Sequence, residues 1–138
     1  MTKIFNFFLF LLLFNGCYSQ QKMDTITINY EAVTRGSSII LVATSSLITY
    51  KDFEIDREIK PSSKEWETLI QLLNDINLSN IKNLTSPSSN SAVDAALQAT
   101  LSIAKNSTIY TSQTFDHGNP PKELKPVLEK IFSILKLM

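Results

Sequence analysis

The chain's only histidine stands in Asp116-His117-Gly118-Asn119-Pro120-Pro121. An imidazole beside a carboxylate, in a loop stiffened by two prolines, has the components of a general base or a metal ligand. Neighbouring side chains tend to diverge, however, so one His and its adjacent Asp rarely grip the same ion. The structural alternative gives each residue a local role, in which Asp116 or Asn119 caps a turn or helix, Gly118 supplies a positive φ, and the prolines fix how the next helix begins. Asp116, His117 and Asn119 are also candidates for contact with a partner. Arg35 is a fourth, because a guanidinium beside Gly36-Ser37-Ser38 could hold an anion together with backbone N–H groups, although a solvated turn is the plainer expectation. Asp94 is an acid placed to pair with Arg35 or Arg57.

Other chemistries lack their parts. The chain has one Cys, at position 17, so intrachain disulfides, multi-thiolate zinc sites and a Cys-His nucleophile in the body of the chain are excluded. No GxSxG elbow occurs, and Gly36 and Gly118 are too few and too far apart for a phosphate-cradling loop. Thirteen Lys+Arg balance thirteen Asp+Glu, so no net field draws in nucleic acid. The expectation is therefore a protein with no catalytic residues, no metal site and no cofactor, and with neither nucleic acid nor nucleotide as partner. Trp66 belongs to a core rather than to a stacking platform. The three Asn-x-Ser/Thr matches at Asn77, Asn83 and Asn106 are of a kind that arises by chance in an Asn- and Ser-rich chain.

The N-terminal residues point to export. Lys3 is followed by an apolar stretch from Ile4 to Phe14, broken only by Asn6, and then by Asn15-Gly16-Cys17-Tyr18-Ser19-Gln20. A membrane-spanning helix needs about 20 apolar residues, so the stretch is expected to be a signal peptide covering residues 1–16. Leu13-Phe14-Asn15-Gly16-Cys17 resembles a relaxed bacterial lipoprotein box, which makes Cys17 the lipidation residue and the bilayer a partner. The non-acidic Tyr18 resembles the pattern sorted to the outer membrane or cell surface. Cleavage after Ser19 is the alternative and would release a soluble periplasmic or secreted protein. Five of the eight Phe leave with the signal, and the remainder is an ordinary globular composition.

Residues 17–24 are expected to be a polar tether and residues 25–138 a single domain. Ile26, Ile28, Tyr30 and Ala32 alternate with polar residues as in a half-buried strand. A turn at Thr34 to Ser38, where Gly36 is able to take φ > 0, leads to a second strand, Ile39 to Ala43. A third is expected from Leu47 to Ile59, with Phe53, Ile55 and Ile59 inward and Arg57 the charged exception. Ser62 and Glu65 then form a capping box ahead of Trp66, Leu69, Ile70, Leu73 and Ile76 at helical spacing. Leu78 to Leu84 is expected at a sheet edge. Strands Asp94 to Ala104 and Thr108 to Phe115 form a hairpin across Lys105-Asn106-Ser107. Leu124, Val127, Leu128, Ile131, Ile134 and Leu135 mark a closing helix that begins no earlier than Lys122, because Pro126 must sit in its first turn. The fold expected is α+β: an antiparallel sheet of about five strands with two amphipathic helices on one face, in the order βββ-α-ββ-α.

From Trp66 onward this layout resembles the emfourin-type inhibitors of thermolysin-like metallopeptidases. The Trp-bearing helix, the Pro-containing loop, the strand led by Asp94, its hairpin partner and the closing Pro121, Leu124, Val127 pattern carry the likeness. The N-terminal half and the box around Cys17 resemble small bacterial lipoproteins in general. The resemblance implies a small non-catalytic domain that binds a peptidase. The functional expectation is a non-enzymatic exported lipoprotein that binds a protein or peptide in the cell envelope, with peptidase inhibition as one form of that binding. The alternatives are a small hydrolase or metal-dependent enzyme using Asp116 and His117, and a structural accessory lipoprotein.

Overall fold

The computed structural model describes residues 25–93 and 95–137. The expected signal segment, Cys17, the expected tether and Asp94, with its expected pairing to Arg35 or Arg57, lie outside the described residues. Seven antiparallel strands form one sheet: β1 (Ile26–Thr34), β2 (Ser37–Ala43), β3 (Ile48–Lys51), β4 (Asp56–Ile59), β5 (Gln98–Lys105), β6 (Thr108–Thr111) and β7 (Phe115–Asp116). Their order is β4-β3-β2-β1-β5-β6, with β7 also paired to β5. Two helices, α1 (Ser63–Asn74) and α2 (Lys125–Leu135), complete an α+β fold.

Alternation in the sequence becomes two unlike sheet faces. Ile28, Tyr30, Ala32, Leu41, Ile48, Leu101 and Ile103 are buried, and the helix residues Leu69, Leu73, Val127, Ile131 and Leu135 join the same core. The opposite face carries Asn29, Glu31, Val33, Ile40, Lys51 and Ile109 and is exposed. Both helices therefore lie on one side of the sheet. The expected capping box is present: Ser62 N–H donates to Glu65 Oε2 at 2.8 Å, and Glu65 N–H donates to Ser62 Oγ at 3.3 Å. Trp66 is half-buried against the core.

The strand count exceeds five because two expected strands each divide. The Leu47–Ile59 strand folds back at Asp52, whose Oδ1 accepts from the N–H groups of Glu54 (2.8 Å) and Ile55 (2.6 Å). This Asx-type turn creates the β3–β4 hairpin. Phe53, expected to face inward, is 90% exposed at its tip. Arg57 is not merely an exception on the inner face. Its guanidinium donates to the Leu135 carbonyl at 2.5 Å and so closes the C-terminus of α2.

The Thr108–Phe115 strand divides for a different reason. Ser102 faces Thr111 and Ala99 faces Phe115, so three steps along β5 are matched by four along its neighbour. The extra residue is a β-bulge after Ser112, whose N–H donates to the Leu101 carbonyl at 2.9 Å. Strand β5 itself starts at Gln98 rather than Asp94. Leu78 to Leu84, expected at a sheet edge, is instead a 3₁₀ helix over Leu78–Asn83. Its apolar residues Leu78, Ile81 and Leu84 recur every third position, which is that helix's period. Gly36 does not use a positive φ; Gly118 does, at 81°.

Candidate functional site

The bulge decides where the Asp116-His117 pair ends up. By adding one residue it places Phe115, rather than Thr114, on the core side opposite Ala99. Asp116 then faces away, and His117 returns to the side of Tyr30. The two neighbours point to opposite sides of the sheet and do not form an acid–base pair.

Asp116 is 2% exposed and fully employed in holding a loop. Its Oδ2 accepts from the Ser88 hydroxyl and from Asn90 N–H at 2.8 Å, and its Oδ1 accepts from Ser91 N–H at 2.8 Å. These bonds cap the 3₁₀ turn Asn90–Val93. The Ser88 hydroxyl foremost, then Ser91, hold the carboxyl far below the usual carboxylate range. Asn119 braces the same loop through a 2.8 Å bond from Nδ2 to Ser88 Oγ. Of the expected roles, Asp116 takes the cap and Gly118 the positive φ.

His117 is half-buried, and a 2.6 Å hydrogen bond joins its Nδ1 to the hydroxyl of Tyr30. Burial pushes the imidazole pKa down. Tyr30 is 1% exposed, and burial first, then the proximity of Tyr50, pushes its phenol up. Phe132 of α2 stands edge-on to both tyrosines, with centroids 5.9 Å from Tyr30 and 6.2 Å from Tyr50. The Tyr50 hydroxyl donates to Asp52 Oδ2 at 2.7 Å, which with the Ile55 N–H lowers the Asp52 pKa. One rigid aromatic unit thus supports both His117 and the β3–β4 turn.

These groups meet at one end of the sheet. An open cleft of about 440 Å³ lies between the β1–β2 turn, at Gly36 and Ser37, and the β3–β4 turn, at Asp52 to Glu54, with Leu97 and His117 on its far side. A second cleft of about 360 Å³ runs along the other side of Phe53, past Ser38, Ile40 and Lys51. Arg35 is exposed and lines a smaller hollow with Ser91 and Gln98. Three of the four sequence candidates, Arg35, His117 and Asn119, therefore reach the same end of the molecule, whereas Asp116 is buried. No group of three or more His, Cys, Asp or Glu able to hold a metal occurs among the described residues.

No protein-family model, curated protein or solved structure matches the chain. Tyr50, Asp52 and Glu54 carried no expectation in the sequence, and Tyr30 and Phe53 were expected as strand residues rather than as parts of a site. The usable signal was Asp52: an Asp followed by Phe-Glu-Ile inside an otherwise continuous strand pattern marks a turn.

Proposed function

We propose that this protein is a non-enzymatic, exported binding module of the cell envelope, anchored through a lipid on Cys17 and engaging a protein or peptide partner at the Phe53 end of its sheet. The observation that carries this reading is the placement of Phe53. A phenyl ring left 90% exposed, with a cleft on either side, is held on a turn fixed by Asp52. Exposed aromatics presented by rigid elements are the usual anchors of protein interfaces.

Orientation supports the same reading. Thr25, whose carbonyl accepts from Asn106 N–H at 2.9 Å, lies at the end of β1 opposite the two turns. Nine residues of β1 put about 30 Å between the two ends. An anchor at Cys17 would therefore join the domain at the end of the sheet opposite Phe53.

The test is site-specific photo-crosslinking in the native host. A benzophenone amino acid at position 53 should give a discrete adduct, and the same residue at Ile109, on the exposed sheet face, should not. Equal labelling from both positions would reject the assignment. Mass spectrometry of the purified N-terminus tests the address: an acylated Cys17 supports the anchor, and a free Gln20 refutes it. Inhibition of a thermolysin-like peptidase, abolished by Phe53→Ala, would identify the partner class.

A further inference from the structure

We propose that the cleft between Phe53 and His117 receives a cationic side chain of the partner, arginine foremost, with the guanidinium lying on the Phe53 ring and against the Glu54 carboxylate. This deepens the binding-module reading and rests on it.

The charge of the cleft selects the ligand class. Its two ionised groups are Asp52 and Glu54, and no Lys or Arg among the described residues lines it. Asp52 is committed to three hydrogen bonds, from Tyr50 and two backbone N–H groups. Glu54 is exposed and makes no ion pair among the described residues, so its carboxylate is available to a ligand. His117 adds no opposing charge near neutral pH, since burial disfavours its protonated form. An anion would meet two carboxylates here, and a purely apolar residue would strip water from Glu54 without replacing it.

The apolar parts match the rest of such a side chain. Leu97 is half-buried and, beside the small exposed part of the core residue Ile39, offers surface for an aliphatic stem, while the exposed Phe53 ring is available to the charged head. Arginine suits this better than lysine, because its planar, weakly hydrated guanidinium stacks on a ring while pairing with a carboxylate. The other cleft beside Phe53 has a different character. There Lys51 lies at the wall, already paired with Asp56 at 3.1 Å, so the cation preference belongs to the His117 side.

The experiment is an amide-resolved NMR titration of the ¹⁵N-labelled protein with N-acetyl-arginine methylamide, and in parallel with the uncharged citrulline isostere. The expected result is saturable shifts at Gly36, Ser37, Phe53, Glu54 and Leu97, with citrulline weaker by about fivefold, the loss of one modest cation–π and carboxylate contact. Glu54→Gln and Phe53→Ala should each weaken arginine binding by a similar factor. Both positions are exposed, so neither change threatens the fold. Equal binding of the two isosteres, or shifts that do not saturate or that map elsewhere, would overturn the proposal. The underlying reading fails separately: a position-53 crosslink whose yield is unchanged by Glu54→Gln at sub-saturating partner retains the binding module and rejects the cationic subsite, whereas absence of any position-53 adduct rejects the module itself.

Discussion

Tyr30 and His117 lie 87 positions apart and meet through a 2.6 Å bond between the phenol oxygen and Nδ1. That bond ties the central strand β1 to the segment leading into α2, and it places the imidazole at the cleft by means of a buried residue. Phe132 packs edge-on against the same phenol ring.

Tyr30→Phe keeps the ring and its packing and removes only the hydroxyl. Loss of a single net hydrogen bond should cost about 1 kcal/mol. Urea denaturation should show a lower midpoint at unchanged slope, and an unchanged midpoint would mean that the bond contributes nothing net.

Acid should weaken the fold in two steps. His117 has a folded-state pKa below the ordinary 6.5, so its neutral form is favoured by folding. Stability is then full above pH 6.5 and declines below it, because the unfolded chain binds the proton first. Asp116 has a depressed pKa, so its contribution is present above the ordinary 3.8 and is lost as the pH falls from there through the folded value. Glu65 and Asp52 are depressed as well and add to this second step. Urea midpoints measured against pH should show both declines, with His117→Gln removing the first and Asp116→Asn reducing the second.

The end of α2 should respond to two substitutions in opposite directions. Lys136 sits in the left-handed region at φ 55°, where Leu137 N–H bonds back to the Phe132 carbonyl at 3.1 Å. Lys136→Gly relieves that conformation and should stabilise by about 0.5–1 kcal/mol. Arg57→Met keeps the stem but removes the donor to the Leu135 carbonyl, and should destabilise by about 1–2 kcal/mol. Calorimetry of the two variants should move Tm up and down respectively.

The bulge should tolerate substitution and not deletion. Thr114 is exposed, so Thr114→Ala should change stability by less than about 0.5 kcal/mol. Deleting Thr114 slips β7 by one residue and exchanges the faces of Phe115 and Asp116, one a core aromatic and the other a capped acid. The expected loss exceeds about 3 kcal/mol. A cooperative melt near that of the parent would show that the extra residue does not set the register.

Much of this architecture was legible in the residue pattern. The period of two along Ile28, Tyr30 and Ala32, the Ser62–Glu65 cap and the 3.6 spacing of Leu124 to Leu135 each reflect a local rule that tertiary packing left intact. The failures have physical causes too. Phe53 looks like a core residue by type, and only the Asx turn at Asp52 makes it a tip. The bulge after Ser112 is invisible in composition, because one added residue alters phase rather than residue type. For the same reason Asp116 and His117, adjacent in sequence, could not be seen to part company, and the Tyr30 partnership across the sheet left no local trace.

The placement of β1 between β2 and β5 bears on how the chain is made. Ile28 pairs with Ala43 on one side and with Ile103 on the other. At about 5–20 residues per second, synthesis completes the β1–β2 hairpin several seconds before β5 emerges. Until then the nascent sheet has an open edge along its middle strand, and its apolar face waits for α2. A holdase that occupies that edge during the interval would find its binding site erased by the last third of the chain.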